Sequence, residues 1–314
     1  MCVVRSIRSR ESEAAPTARS TASRETLTQK TTELISAATT PETSSQESSG
    51  FLSFIFYCSV HVWVLPRWVS QSHLGGRREL SSACTLIALQ VSRDLQRIRY
   101  RLPTLASSLE KGIELPEKLL RALTDAIVDA NETHGEQMQM RKAKFFSRKE
   151  DTFTIPDALN VHCPEMTEID YKTYSGGAMS EVLAFAIRCA VENCGQKLNR
   201  RLVCMVIISM QRAICCVVDR AANSVCVVDS HFHYKASSGA MILSANLNKL
   251  ESLTTVVEKL IFPEIGTSYR GPMFFEISCV VTPTAEDPKP AKMRGKIFKS
   301  YKALNYDSGY ESSD

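Results

Sequence analysis

At 314 residues, with 44% hydrophobic and 23% charged side chains, the chain has apolar surface enough for a core, which excludes disorder along its whole length. A formal net charge of +4 is too small to argue for nucleic acid, and the basic residues do not gather on one predicted element. The eleven cysteines are spread through apolar periodic segments, with Cys215 and Cys216 adjacent in an expected strand. That pattern points to reduced, buried thiols in an intracellular protein of the cytoplasm or nucleus, and away from a disulfide framework. No CxxC pair and no Cys/His metal spacing occurs, so neither a zinc site nor any other cofactor is expected.

Residues 1–50 are rich in Ser, Thr, Glu and Arg, lack periodicity, and are expected to be disordered. The run from Phe51 to Leu65 is mostly apolar and ends at Pro66, but a bilayer crossing needs about 20 residues. Its His61 and its β-branched and aromatic residues favour a buried strand leading into the domain, with a membrane anchor as the lesser alternative. From Cys84, the positions Ile87, Val91, Leu95 and Ile98 follow three- and four-residue steps, predicting a helix of about four turns with Ser81 or Ser82 as its cap. Residues 116–130 predict a second helix with Pro116 in its first turn, and 131–176 read as a mainly polar surface connection that includes the basic run 141–146.

The segment 175–195 places Met179, Leu183, Ala186, Ala190 and Cys194 on one helical face. The short β-branched runs 202–210, 213–219 and 224–230 predict strands, with a hairpin at Arg220-Ala221-Ala222-Asn223. A helix carrying Leu250, Leu253, Val257 and Leu260 and a last strand at 272–282 complete the set. Helices first and a mostly antiparallel sheet afterwards give an α+β domain over 51–284, expected in two lobes with a cleft, followed by a basic then acidic tail over 285–314.

One constellation carries chemistry. A thiol hydrolase needs a thiolate, a histidine to share its proton, a group that orients the histidine, and donors for the oxyanion. Cys84 stands at the predicted start of a long helix, where free N–H groups and the macrodipole favour a negative sulfur. His231 follows a predicted strand directly, and Asp229 lies two positions earlier, on the same side of an extended chain. Gln71, upstream of Cys84 across a loop containing Gly75-Gly76, has an amide able to join the Cys84 N–H as an oxyanion donor. His233 also projects to the His231 side and is the lesser alternative as base, with packing as its ordinary role. His73, His134 and His162 have no partner pattern and are expected to make surface or local hydrogen bonds. Asn131-Glu132-Thr133 matches a glycosylation sequon that an intracellular setting leaves unused.

The order Gln71, Cys84 at a helix start, then Asp229-Ser230-His231 after a strand resembles the deubiquitinating peptidase domain at the head of the herpesvirus large tegument protein, a papain-like fold. Gly239-Ala240 followed by apolar residues strengthens the likeness, which spans residues 60–282. It implies Cys84 as nucleophile, His231 as base, Asp229 as its orienter and Gln71 as part of the oxyanion hole. It also implies ubiquitin or a ubiquitin-like protein as substrate and partner. The alternative is a silent peptidase-fold protein that binds ubiquitin or another protein. In the tail, Asp307-Ser308-Gly309-Tyr310-Glu311-Ser312 resembles a phosphodegron, in which phosphorylated Ser308 and Ser312 would meet an arginine cluster on a ubiquitin ligase adaptor; a plain acidic end is the other reading.

Overall fold

Apolar runs with tight turns between them form the centre of one sheet in the computed structural model, which describes residues 52–56, 59–77, 79–103, 114–143, 151–198, 200–234, 237–265 and 273–283. Strands β1 (Leu52–Phe56) and β2 (Val60–Val64) form a hairpin, and β3 is Thr167–Ser175. The central strands are β4 (Leu202–Ser209), β5 (Arg212–Asp219), β6 (Ser224–Asp229) and β7 (Met241–Asn246), followed by β8 (Phe274–Val281). All eight lie in one sheet in the order β1-β2-β7-β6-β5-β4-β8-β3, and every neighbouring pair is antiparallel.

Among the described residues, five α-helices cover the sheet on both faces. Helices α1 (Cys84–Arg97), α2 (Glu117–Ala143) and α3 (Ile155–His162) bury their apolar stripes on one side, with Cys204, Val206, Cys215 and Val217 beneath them. Helices α4 (Met179–Leu198) and α5 (Leu250–Leu260) cover the other side over Val203, Met205, Ile207 and Cys216. Because both faces are covered, the successive residues 202–208 of β4 and 213–218 of β5 are all apolar instead of alternating with polar ones. The described residues up to Thr282 belong to one compact α+β unit.

Several expectations need correction. The single strand expected at 51–65 is a two-stranded hairpin; Trp63 and Leu65 are each 1% exposed, inside the core. No helix among the described residues is long and apolar enough to cross a membrane. Ile98 is 52% exposed and caps α1 instead of extending its buried face. The polar stretch 131–176 is not a plain connection: α2 runs on to Ala143, α3 forms with Thr154 as its N-cap, and β3 follows. Its residues are polar because the second half of α2 is half exposed and β3 is a sheet edge, so neither leaves a strong apolar period. β7 was not anticipated. The segment 1–50, residues 144–146 of the basic run, and the tail with Ser308 and Ser312 lie outside the described residues.

The end of the sheet that matters for chemistry is held by a glycine. Gly239 donates its N–H to Leu65 O at 2.9 Å, and Ala240 donates to Val69 O at 2.7 Å, so the chain entering β7 lies flat against the turn that leaves β2. A Cβ on Gly239 would stand 2.1 Å from Pro66 O and 2.4 Å from Val69 O. Those are rigid backbone atoms, so the site admits no side chain. Gly239→Ala is expected to lower stability by about 2 kcal/mol or more, the upper range of overpacking costs, read as a lowered urea midpoint. An unchanged midpoint would show that the two segments separate without cost.

Candidate active site

The antiparallel order brings the last residue of β6, the first of β7, the start of β5 and the end of β2 to one end of the sheet. The N-terminus of α1 reaches the same place. Cys84 is the first residue of α1, with Ala83 as its N-cap. Neither Ser81 nor Ser82 caps the helix as expected: the N-cap is Ala83, with no side-chain cap, and Ser81 Oγ accepts the Ala83 N–H at 3.1 Å just ahead of it. The thiol is 6% exposed.

Asp229 ends β6 and is fully buried. His231 follows two residues on, and its Nδ1 donates to Asp229 Oδ1 at 2.5 Å. The His231 backbone N–H donates to the same oxygen at 3.2 Å. With Nδ1 occupied by the carboxylate, the remaining ring nitrogen is the one left to act on the Cys84 thiol, and His231 is the group that lowers that thiol most. Asp229, His231 and Cys84 thus stand together at this end of the sheet.

Electrostatics follow from that grouping. Burial pushes the Cys84 thiol up, but the His231 hydrogen bond and charge, helped by backbone hydrogen bonds at Ala213 and Thr85, outweigh it and leave the thiol below its ordinary 9.0. Burial alone would lower His231, yet the Asp229 charge and hydrogen bond, with smaller help from Cys84, raise it to about 10. Asp229, penalised by burial, is nevertheless held far below the usual carboxylate range by His231 and His233. Both shifts move the pair toward a thiolate facing an imidazolium.

Gln71 comes next to this group, by a route the sequence did not disclose. Its Nε2 donates to Ser81 O at 2.6 Å, its Oε1 accepts from Ser230 Oγ at 2.8 Å, and its backbone N–H donates to Ser230 O at 2.8 Å. It therefore ties the approach to Cys84 to the residue between Asp229 and His231. Asn131 on α2 supports the same knot, donating from Nδ2 to Gln71 O at 2.9 Å and accepting from Ser81 Oγ at 2.5 Å. Its side chain is buried and fully engaged, so the sequon reading does not apply to the folded chain. Asn131 and Ala213 are site residues that sequence reasoning missed; Ala213 acts through its backbone, which leaves no signal in residue type.

His233, given packing as its ordinary role, instead donates from Nε2 to Asp229 Oδ2 at 2.8 Å. His73 makes a local hydrogen bond to Ser70, whereas His134 and His162, for which local bonds were expected, reach across the fold to Asp151 O and to Thr133 and Gln90 respectively. Beside the triad, Phe232 lies edge-on to His73 and Tyr234, with the Arg67 guanidinium 5.2 Å from its ring centre, and Trp68 and Tyr234 are exposed. A hollow with room for little more than one water lies among Arg200, Leu202, Cys204 and Cys279 at the start of β4, away from His231 and Cys84.

The pair makes Cys84 reactive over a defined window. The thiolate is lost as pH falls through the depressed Cys84 value, and the imidazolium is lost as pH rises through the His231 value near 10, the two steps belonging to the coupled pair. Alkylation of Cys84 by iodoacetamide, followed by mass spectrometry, should show an acid limb centred below 9.0 that moves upward in His231→Ala. An unshifted limb at the free-thiol value would deny the pairing. No family model and no curated protein matches the chain. Among solved structures it is similar, at 12% identity and a TM-score of 0.42 over 67% of this chain and 82% of the other, to the ubiquitin-specific protease encoded by a murine cytomegalovirus tegument protein, in complex with a ubiquitin-based suicide substrate.

Proposed function

We propose that this chain is a cysteine peptidase acting on ubiquitin or a ubiquitin-like modifier. The observation that carries the chemistry is the buried group of Asp229, His231 and Cys84, in which the thiol is depressed despite its burial. The Cys84 thiolate attacks the carbonyl carbon of the scissile amide, forming a thioester through a tetrahedral intermediate. The imidazolium of His231 gives its proton to the departing amine, then as neutral imidazole takes one from the water that hydrolyses the thioester. Asp229 keeps the ring oriented and stabilises its charged form. The Cys84 backbone N–H and the second Nε2 hydrogen of Gln71, whose first binds Ser81 O, serve as oxyanion donors.

In this reading the arrangement is a papain-like one, with a helix-borne nucleophile facing a sheet-borne base. The assignment of ubiquitin rests on the order Gln71, Cys84, Asp229-Ser230-His231 and on Gly239-Ala240. The exposed Trp68 and Tyr234 beside the triad supply an apolar wall for the protein substrate. The near-complete burial of Cys84 is the one observation that favours a second reading, a silent fold retained to bind ubiquitin or another protein.

Labelling with a ubiquitin probe that carries a thiol-reactive electrophile at its C-terminus separates the two. Wild type should form an adduct, Cys84→Ala none, and His231→Ala an adduct slowed by about 100-fold or more, given what general-base catalysis contributes. Probe binding without adduct in wild type would select the binding module. An adduct that survives Cys84→Ala would refute the assignment of the nucleophile.

A further inference from the structure

Asp229 is gripped on both oxygens. His231 Nδ1 holds Oδ1 at 2.5 Å, and His233 Nε2 holds Oδ2 at 2.8 Å, while the carboxylate itself is sealed from solvent. The two rings come from the second and fourth residues after Asp229, so the chain leaving β6 wraps both of them onto one carboxylate. His233 is itself fixed. It exchanges backbone hydrogen bonds with Ser238, His233 N–H to Ser238 O at 3.0 Å and Ser238 N–H to His233 O at 3.3 Å. The next residue is Gly239, pressed against the turn at 66–69.

The groups acting on the Cys84 thiol are His231 and the backbone of Ala213 and Thr85, and His233 is not among them. His233 therefore stands behind the relay and not in it. Its contact with Asp229 removes the freedom of the carboxylate to rotate, and it satisfies an oxygen that no water reaches. We propose that His233 is a positioning residue: by donating from Nε2 to Asp229 Oδ2 it fixes the plane of the carboxylate, and so the direction in which His231 faces Cys84. The proposal rests on the peptidase reading for its effect on turnover, and on the geometry alone for its effect on the thiol.

Loss of the donor leaves a buried oxygen unpaired, and the carboxylate then turns away or takes up a proton. Either change loosens the hold on the His231 imidazolium, and the Cys84 thiolate loses its partner. Asp229 acts on His231, and His231 acts on Cys84, so a change in how the carboxylate is held reaches the thiol.

The test compares His233→Phe, which keeps a ring without the N–H, with His233→Gln, whose amide restores a donor. Two readouts are taken on the full chain: turnover of a fluorogenic ubiquitin amide, and the pH dependence of Cys84 alkylation by iodoacetamide, which needs no substrate. His233→Phe should lower kcat by about tenfold or more with KM little changed, and should move the acid limb of alkylation to higher pH. His233→Gln should recover most of both. If His233→Phe does not fold, His233→Leu takes its place. A folded variant lacking the donor, with wild-type kcat and an unmoved limb, overturns the proposal, as does His233→Gln behaving no better than His233→Phe. A limb that moves in a protein with no turnover even as wild type upholds the positioning role and rejects the peptidase reading instead.

Discussion

The ionised carboxylate of Asp229, buried without solvent contact, is the constraint on which the site depends. Removing such a charge from water costs several kcal/mol unless hydrogen bonds replace the lost hydration. Two imidazole donors and the His231 backbone N–H supply them, and all three come from the residues that follow β6. That requirement holds 229–233 around the carboxylate, and Ser238 and Gly239 then lie against His233 and the turn after β2. The turn leads to Gln71, which binds Ser230 and Ser81, and Ser81 accepts the N–H of Ala83, the residue before Cys84. The contacts therefore close a ring that starts and ends at the triad.

Cysteine supplies an internal control for this electrostatic argument. Cys204, Cys215, Cys216 and Cys226 are as deeply buried as Cys84 and lie on strands of the same sheet. Burial pushes every one of them up, Cys215 to about 12. Cys84 alone in this group moves down, and the difference is the imidazolium beside it together with donors from Thr85 and Ala213. A low-dielectric interior makes thiols inert, and a charged partner in the same interior reverses the effect.

The parts of this fold that were legible were those whose burial is one-sided or complete. The stripe from Cys84 to Leu95 has a helical period because α1 buries one face, and the runs at β4, β5 and β6 stand out because both sides are covered. Edge strand β3 and the second half of α2 escaped because solvent reaches them and their polar residues show no dominant period. The residues Cys84, Asp229 and His231 could be placed from helix start and strand alternation. The tertiary knot of Gln71, Asn131, Ser81 and Ser230 could not be, since it joins segments whose proximity depends on the sheet order. The role of His233 was half visible: its side of the chain was legible, but not the second carboxylate oxygen that it meets.

Ser230 and Gln71, which clasp each other across the site, are 159 residues apart in the chain. The strand pairs that bring them together, β2 with β7 and β6 with β7, are completed only at Asn246. During synthesis Cys84 thus leaves the ribosome long before His231 exists, with no local structure able to hold the two in register. Pairings of such long range are slow to form because loop closure precedes any stabilising contact. The nascent chain stays chemically quiet until its last central strand is in place, and chemical competence becomes a late event of folding rather than an early one.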